Sequence, residues 1–304
     1  IRKMETRLDL LKKCEICPHK CGIDRTNNKI GRCKSKDTVK LAIFSLHKFE
    51  EPCISGKNGS GTVFFSNCNL SCEFCQNYEI SQQGLGKEIG IEDLAKIFIK
   101  QQESGAHNIN LVSPTSYAVQ IIEAIKIAKS NGLNIPIIYN TNGYENVETL
   151  KMLDGYVDVY LPDLKYAEDD LAKKYSKVDN YFEIATKAIK EMRRQVGENV
   201  YDEEGMLKKG MIIRHLILPN HTENSKKVLS WISQNMPKDI TVSIMAQYFP
   251  TYNACKIKDL NRKITKHEYK KIEDFLYLLD LENGYIQEQG KNEEIYVPKW
   301  EINV

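Results

Sequence analysis

The stretch "SNCNLSCEFCQN", residues 66–77, decides how this chain is to be read. It holds Cys68, Cys72 and Cys75, with three and then two residues between them. Thiolates grouped so tightly select a soft metal or an iron–sulfur cluster. A closed structural zinc site takes four protein ligands, and this loop supplies three. Either a distant residue completes a zinc knuckle, or the fourth position belongs to something that is not protein. A catalytic metal centre keeps such a position open.

Upstream, "GTVFFSN" at 61–67 is a short apolar run of β type that feeds into the cysteine loop. Downstream, strand and helix patterns alternate. "GIEDLAKIFIKQQESG" sets Ile91, Leu94, Ala95 and Phe98 at helical spacing, and "NINLVSP" reads as a buried strand. "SYAVQIIEAIKIAKSNG" is a helix ended by Asn131-Gly132. "IPIIYNTNG", "VDVYLPDLK", "GMIIRHLILP" and "ITVSIMAQYFP" are further strands, with helices from about Glu145, over "YFEIATKAIKEMRR" and from Thr222 between them. A last helix, "TKHEYKKIEDFLYLLDLENG", opens with Thr265 and Glu268 in capping-box spacing. Strands alternating with helices mean right-handed βαβ units and a parallel sheet. Six such units fall short of the eight of a closed barrel, which predicts an open or partial one. "GENVYDEEGMLKKG", 197–210, reads as a surface loop or lid.

The bulk numbers exclude several classes. Of 304 residues, 43 are Lys or Arg and 41 Asp or Glu, for a formal net charge of +2. With the basic residues spread along the chain, no nucleic-acid partner is expected. No apolar run reaches membrane-spanning length, and the first residues lack the apolar core of a secretory signal, so a cytoplasmic address is expected. Nine cysteines in a reducing compartment read as ligands rather than disulfides. Besides the loop group, Cys14, Cys17, Cys21 and Cys33 form a second set, with four ligands and Pro18, Gly22 and Gly31 at knuckle-tightening places. Structural zinc and an auxiliary 4Fe-4S cluster both fit that second metal site, and spacing does not choose between them. Cys53 and Cys255 read as small buried hydrophobes, His47 and His215 as satisfied core histidines, and His19 and His107 as surface residues. The expected division is a cysteine-rich metal-binding lobe at 1–60 with a lead-in helix (Met4, Leu8, Leu11), a barrel at 61–250, and a C-terminal helix and tail at 251–304.

"CNLSCEFC", with Phe74 before the last cysteine, resembles the CxxxCxxC motif of the radical S-adenosylmethionine (SAM) superfamily. The likeness extends over the strand–loop start and the six βα units, residues 61 to about 250. It implies an α/β fold: a partial (β/α)6 radical SAM barrel with a small N-terminal metal-binding lobe and a C-terminal helical tail. "YNTNG", "LPDLK" and "IIRHLILP" resemble strand-end segments of the pyruvate formate-lyase activating enzyme branch. The front part is similar to an uncharacterised subgroup of that branch. The resemblance implies that Cys68, Cys72 and Cys75 hold a 4Fe-4S cluster whose fourth iron binds S-adenosyl-L-methionine. Reductive cleavage would give a 5′-deoxyadenosyl radical that abstracts a substrate hydrogen atom. The implied SAM bed is Asn77 beyond the cluster, Ser113, Pro114 and Thr115 after the second strand, Asn140, Thr141 and Asn142 after the third, Asp163 and Lys165 after the fourth, and Arg214 on the fifth. Lys165 or Arg214 would pair with the SAM carboxylate. Gln247 and Tyr248 would face the substrate or simply pack.

The chain departs from the branch in three places. "VSPTSY" stands where many relatives carry a Gly-Gly-Glu segment, Asn140 stands where some activases carry Asp, and no ferredoxin-like insert follows the cluster loop. The implied partners are a reductant such as flavodoxin or ferredoxin, and a protein, peptide or small-molecule substrate. Activation of a glycyl-radical enzyme, radical modification of a peptide or metabolite, and a non-catalytic iron–sulfur electron carrier are the three functions to be separated.

Overall fold

The computed structural model of the chain describes residues 7–281 and 283–286. Ten strands are β1 (Val39–His47), β2 (Ser60–Phe65), β3 (Lys87–Ile89), β4 (Ile109–Val112), β5 (Ile137–Thr141), β6 (Val159–Pro162), β7 (Val200–Tyr201), β8 (Leu207–Leu216), β9 (Thr241–Met245) and β10 (Gly284–Ile286). The helices are α1 (Pro52–Ser55), α2 (Tyr78–Ser81), α3 (Ile91–Glu103), α4 (Ala118–Ser130), α5 (Val147–Leu153), α6 (Asp169–Ser176), α7 (Tyr181–Val196), α8 (Thr222–Asn235) and α9 (Lys266–Leu278).

One sheet runs in the order β10-β9-β8-β6-β5-β4-β2-β1-β3, with β7 added onto β8. From β2 to β10 along this path every pairing is parallel. The sheet is not closed: β3 and β10 are its edges. The six expected parallel strands are present, and β10 adds a seventh from the C-terminal segment. The strand β1 lies within the front region, where periodicity is weak, and pairs antiparallel with β2 and β3. Its burial alternates poorly and its register shifts between Leu41 and Ile43, so no clean two-residue pattern marks it in the sequence. Met4 of the expected lead-in helix lies outside the described residues, while Leu8 and Leu11 fall in a 3-10 helix, Arg7–Lys13.

Residues 197–210 form a hairpin rather than a lid. β7 pairs antiparallel with the first residues of β8, at the N-terminal end of the sheet strands. Asp202 closes its turn by accepting from Glu204 N and Met206 N. A segment tied there has no access to the C-terminal strand ends.

Helix α3 presents Leu94, Ala95, Ile97 and Phe98 to the core, with Glu92 and Asp93 in its first turn and Lys100 in its last, as the helix dipole favours. Helix α4 buries residues on nearly all sides because it is sandwiched: Ala118 and Val119 pack against Leu11, Cys14 and Ile16 of the front lobe. The lobe is also bonded down. Arg25, fully buried, donates to Ser116 O at 2.7 Å, Thr149 Oγ1 to Ile16 O at 2.6 Å and Asn146 Nδ2 to Glu15 O at 2.9 Å. At the far end α9 carries the capping box read from the sequence: Glu268 N donates to Thr265 Oγ1, and Thr265 N donates back to Glu268 Oε2. Among the described residues no helix is long and apolar enough to cross a membrane.

The strand register brings the C-terminal ends together. Val112 sits opposite Asn140, Asn140 opposite Leu161 and Thr141 opposite Pro162, and Asp163 bridges to Arg214. The loop after β5 passes so close to the end of β6 that a Cβ on Gly143 would stand 2.3 Å from Asp163 O, and Gly143 has φ +81°. Both the space and the backbone therefore demand glycine. Gly143→Ala is expected to destabilise the protein by roughly 2–4 kcal/mol, read as a lowered midpoint in thermal unfolding. An unchanged midpoint would mean that the two strand ends need not approach this closely.

Candidate functional site

A cavity of about 240 Å³ opens at the C-terminal strand ends. Cys68, Cys72 and Cys75 all line it. Their loop leaves β2 through Asn67, a non-glycine residue at φ +72° whose N–H donates to Ile80 O. It is then pinned to α6: Ser71 N donates to Ser176 O at 3.1 Å and Glu73 N to Tyr175 O at 2.8 Å. Each sulfur has polar neighbours. Leu70 N and Asn142 Nδ2 both donate to Cys68 Sγ at 3.4 Å, Cys72 Sγ lies 3.0 Å from Ser176 Oγ, and Cys75 Sγ 3.2 Å from Ser81 Oγ.

Burial pushes the Cys68 thiol up to about 12, with the neighbouring Cys72 adding to it. Cys72 is raised to about 11 by burial although Lys165 pulls it down, and Cys75 is raised chiefly by burial. Without a positive centre these sulfurs stay protonated; a bound metal group reverses that by holding them as thiolates. Among the described residues no group of His, Cys, Asp or Glu closes on a point suited to one metal ion. An iron–sulfur cluster is wider than an ion and carries its own sulfides, so it asks for thiols facing a shared space. The three cysteines meet that requirement, and their N–H and O–H neighbours suit sulfur that carries charge.

The structure divides the SAM residues implied by the sequence. Phe74, Asn77, Ser113, Asn140, Thr141, Asn142, Asp163, Lys165 and Arg214 line the same cavity. Ser113, at the end of β4, holds φ +57°, a rare conformation for a residue with a side chain, and its N–H donates to Asn140 O. Pro114 and Thr115 are not in the lining. The chain turns inward after Ser113, so Pro114 starts a 3-10 turn and Thr115 is buried, donating to Glu145 Oε1 at 2.6 Å. Arg214 lines the cavity but its fork is taken: Nε donates to Glu51 Oε1 at 2.9 Å, and Nη2 to both Glu51 and Glu50. Lys165 pairs with Asp163 at 2.5 Å. Burial works against its charge, but Asp163, Cys72 and Tyr181 together outweigh burial and raise it above the ordinary lysine range.

Several contributors carry no sequence signal. Glu50 and Glu51, in "FEEPC", belong to no motif; burial, which raises the Glu51 carboxyl, is overcome by Arg214, so Glu51 titrates below its ordinary range. Tyr181, at the start of α7, donates to Asn142 O at 2.8 Å and Asp163 O at 2.9 Å and accepts from Lys165 N at 3.0 Å. Asn69 takes a bond from Asn142 at 2.8 Å and gives one to Tyr144 O at 2.7 Å. His215 is a satisfied core histidine, between Leu164 O and Ser225 Oγ, and burial lowers it to about 4. His47 instead lines the cavity, edge-on to Phe49, because β1 ends at its rim. His19 is not a free surface residue: its Nε2 lies 2.7 Å from Asn69 O and its ring against Tyr144. Cys53 is buried, but Cys255 is exposed and absent from the cavity lining. Gln247 lines the cavity, whereas Tyr248 packs under Phe74 and donates to Leu260 O.

The front cysteines form a knuckle. Cys14 N donates to Ile23 O at 2.8 Å and Gly22 N to Cys14 O at 2.9 Å, folding the strand of chain back on itself. Cys14 and Cys17 are buried, Cys21 and Cys33 partly exposed. Burial raises the Cys17 thiol to about 12, and Cys33, Cys14 and Cys21 are all near enough to add to it. Arg32 N donates to Cys21 Sγ at 3.4 Å. Cys14, Cys21 and Cys33 thus all lie near Cys17, although the four do not converge on a point suited to a single ion.

Residues 62–232 match the family model described as Radical SAM superfamily. The chain is 35% identical over 291 residues to an uncharacterized protein of Methanocaldococcus jannaschii, covering 92% of this chain and 79% of that one. It is 24% identical over 246 residues to the pyruvate formate-lyase-activating enzyme of Clostridium pasteurianum, covering 76% of this chain and 96% of that enzyme. In fold it is similar to the FeFe-hydrogenase maturase HydG from Carboxydothermus hydrogenoformans, with a TM-score of 0.53 and 16% identity over 79% of this chain and 56% of that one. The chain thus spans only about half the length of that maturase.

Beneath the cavity floor lies Glu145, fully buried, accepting from Thr115 and Thr141 hydroxyls, while its Oε2 has no hydrogen-bond partner among the described residues within bonding distance, the Tyr139 hydroxyl lying near enough only to stabilise its charge. Burial raises its carboxyl to about 7, and the two threonine hydroxyls only partly oppose this. Between the ordinary carboxyl range and about 7 the folded protein keeps a proton that the unfolded chain has released, so stability falls as pH rises through that window. The full loss is about 3 kcal/mol. Thermal unfolding should therefore show a midpoint several degrees lower at pH 8 than at pH 5.5. Glu145→Gln, which mimics the protonated acid, should flatten that dependence; an equally steep profile in the variant would remove Glu145 as its source.

Proposed function

The chain belongs to the radical SAM superfamily, and from that premise we propose that it cleaves S-adenosylmethionine reductively to generate a 5′-deoxyadenosyl radical for hydrogen abstraction. The observation that carries the reading is the meeting of Cys68, Cys72 and Cys75 with Ser113, Asn140–Asn142, Asp163 and Lys165 around one cavity. Cys68, Cys72 and Cys75 would hold a 4Fe-4S cluster, which would supply one-electron reduction chemistry for the sulfonium S–C5′ bond of SAM.

The chain's own residues prepare that site. Asn142, Ser176 and Ser81 touch the three sulfurs and fix their side chains. The ammonium of Lys165, held by Asp163, sits near Cys72 and offers a carboxylate partner with donors to spare. Arg214, already in a buried pair with Glu51 and Glu50, shapes the cavity rather than binding the ligand. Asn140 presents its amide for the methionyl or ribose part, Thr141 spends its hydroxyl on Glu145 beneath the floor, and Leu70, Phe74, Ile80 and Leu216 keep the walls apolar.

The 24% identity to an activating enzyme over nearly that enzyme's full length supports a glycyl-radical activase as the finer reading, with a backbone glycine Cα–H as target. The front knuckle is proposed as a second metal site, an auxiliary 4Fe-4S cluster ahead of structural zinc. A one-electron donor of the flavodoxin or ferredoxin class and a cytoplasmic setting complete the proposal.

Reconstituted anaerobically and reduced with dithionite, the protein is expected to form 5′-deoxyadenosine from SAM, and the Cys68/Cys72/Cys75→Ala triple variant none. Product from the triple variant would refute the ligand assignment; a wild-type cluster indifferent to SAM would leave an electron carrier. A glycyl doublet in electron paramagnetic resonance after adding a candidate glycyl-radical enzyme distinguishes activation from other substrates. About eight irons and no zinc per chain supports the auxiliary cluster; zinc with about four irons overturns it. In equilibrium binding, Lys165→Met should weaken SAM roughly tenfold or more through loss of a charge-assisted bond. Arg214→Met should instead cost about 3–5 kcal/mol of stability by leaving Glu51 uncompensated.

A further inference from the structure

One feature of the front lobe is not used by the cavity. Lys20, Lys29, Arg32 and Lys34 are all exposed, and none has a carboxylate partner among the described residues. Elsewhere in the lobe Lys12 pairs with Asp9, Lys13 with Glu15 and Lys36 with Glu88. These four lie beside or between Cys21 and Cys33 in sequence, the two partly exposed thiols of the knuckle. In their midst Ile30 is 58% exposed, an isolated apolar contact point.

The same edge reaches the three-cysteine loop. Arg32 Nη2 donates to Ser71 Oγ at 3.0 Å, next to Cys72, and to Lys177 O at 3.3 Å, while Lys34 Nζ donates to Gln82 O at 3.4 Å. His19, between Cys17 and Cys21, lies 2.7 Å from Asn69 O, beside Cys68. The two cysteine groups are thus joined through side-chain hydrogen bonds of Arg32, Lys34 and His19.

Resting on the function proposed above, we propose that this face, Lys20, Lys29, Arg32 and Lys34 around Ile30, is the docking surface for an acidic one-electron carrier protein. Reductive SAM cleavage consumes an electron that the chain must take from outside. The reduced carrier gives up one electron, the S–C5′ bond takes it, and methionine and the nucleoside radical result, with no proton transferred. Electron-transfer encounters are small and transient, so charge complementarity rather than buried area sets their rate and orientation. Exposed cations without a carboxylate partner, near in sequence to an exposed isoleucine and two partly exposed thiols, suit such an encounter and attract an acidic surface over about a Debye length.

The test uses the reconstituted full chain and a purified flavodoxin as carrier. The Lys20→Glu/Lys29→Glu/Lys34→Glu variant is compared with Lys129→Glu/Lys209→Glu/Lys238→Glu, which makes the same change of net charge outside the lobe. By calorimetry at low salt, the lobe variant should bind flavodoxin about tenfold or more weakly, with a flattened salt dependence, and the Lys→Gln triple should fall between. Flavodoxin-driven 5′-deoxyadenosine formation should drop in parallel while the dithionite-driven rate and the iron content stay unchanged. Equal weakening by both charge-reversal triples overturns the proposal in favour of bulk charge. Unchanged flavodoxin binding by the lobe variant, with loss of binding to a single-stranded oligonucleotide, overturns it in favour of a polyanion face. Failure of dithionite to yield the nucleoside from the wild-type protein would sink the catalytic reading itself, whereas the binding isotherms judge the face independently.

Discussion

The hydroxyl of Tyr181 is the constraint on which the site depends. It bonds three backbone groups of two neighbouring loops, Asn142 O, Asp163 O and Lys165 N. These loops leave β5 and β6 and carry the groups that address the cysteines: Asn142 at Cys68 and Lys165 beside Cys72. A buried phenol satisfying three main-chain groups replaces the water that loops at an open strand end would otherwise need. The close passage at Gly143 follows from the same clamp.

The cavity's charges are balanced pair by pair. Arg214 is fixed by Glu51 and Glu50, and Lys165 by Asp163. The acids Glu50 and Glu51 come from the turn between β1 and α1, so a segment just ahead of the barrel neutralises a cation 164 and 163 residues further along, on its fifth parallel strand. Burying such charge is tolerable only with good geometry and full hydrogen bonding. The pairing also links the front region to the barrel's interior, as Arg25, Thr149 and Asn146 link it to the barrel's flank.

Much of this was legible beforehand. The parallel strands showed as apolar runs because both their faces are covered, and α3, α4, α8 and α9 as periodic stretches because each buries one or more faces. β1 was hidden by its bulge and half-wet face, and β10 by its three-residue length. The segment 197–210 looked like a lid because its polar composition cannot say which end of the sheet it decorates. Cys255 was misread as buried because a lone cysteine gives no pattern from which burial follows.

The sequence by itself determined the cysteine groups, the order of the βα units and most of the strand-end residues, since spacing and periodicity are local properties of the chain. Only the tertiary structure decided which of those residues share the cavity. Thr115 turns inward to Glu145, Arg214 is claimed by Glu50 and Glu51, and His47 arrives at the rim on a strand the pattern did not reveal. Pairing of charges across more than a hundred residues depends on where the sheet brings them, and no local pattern encodes it.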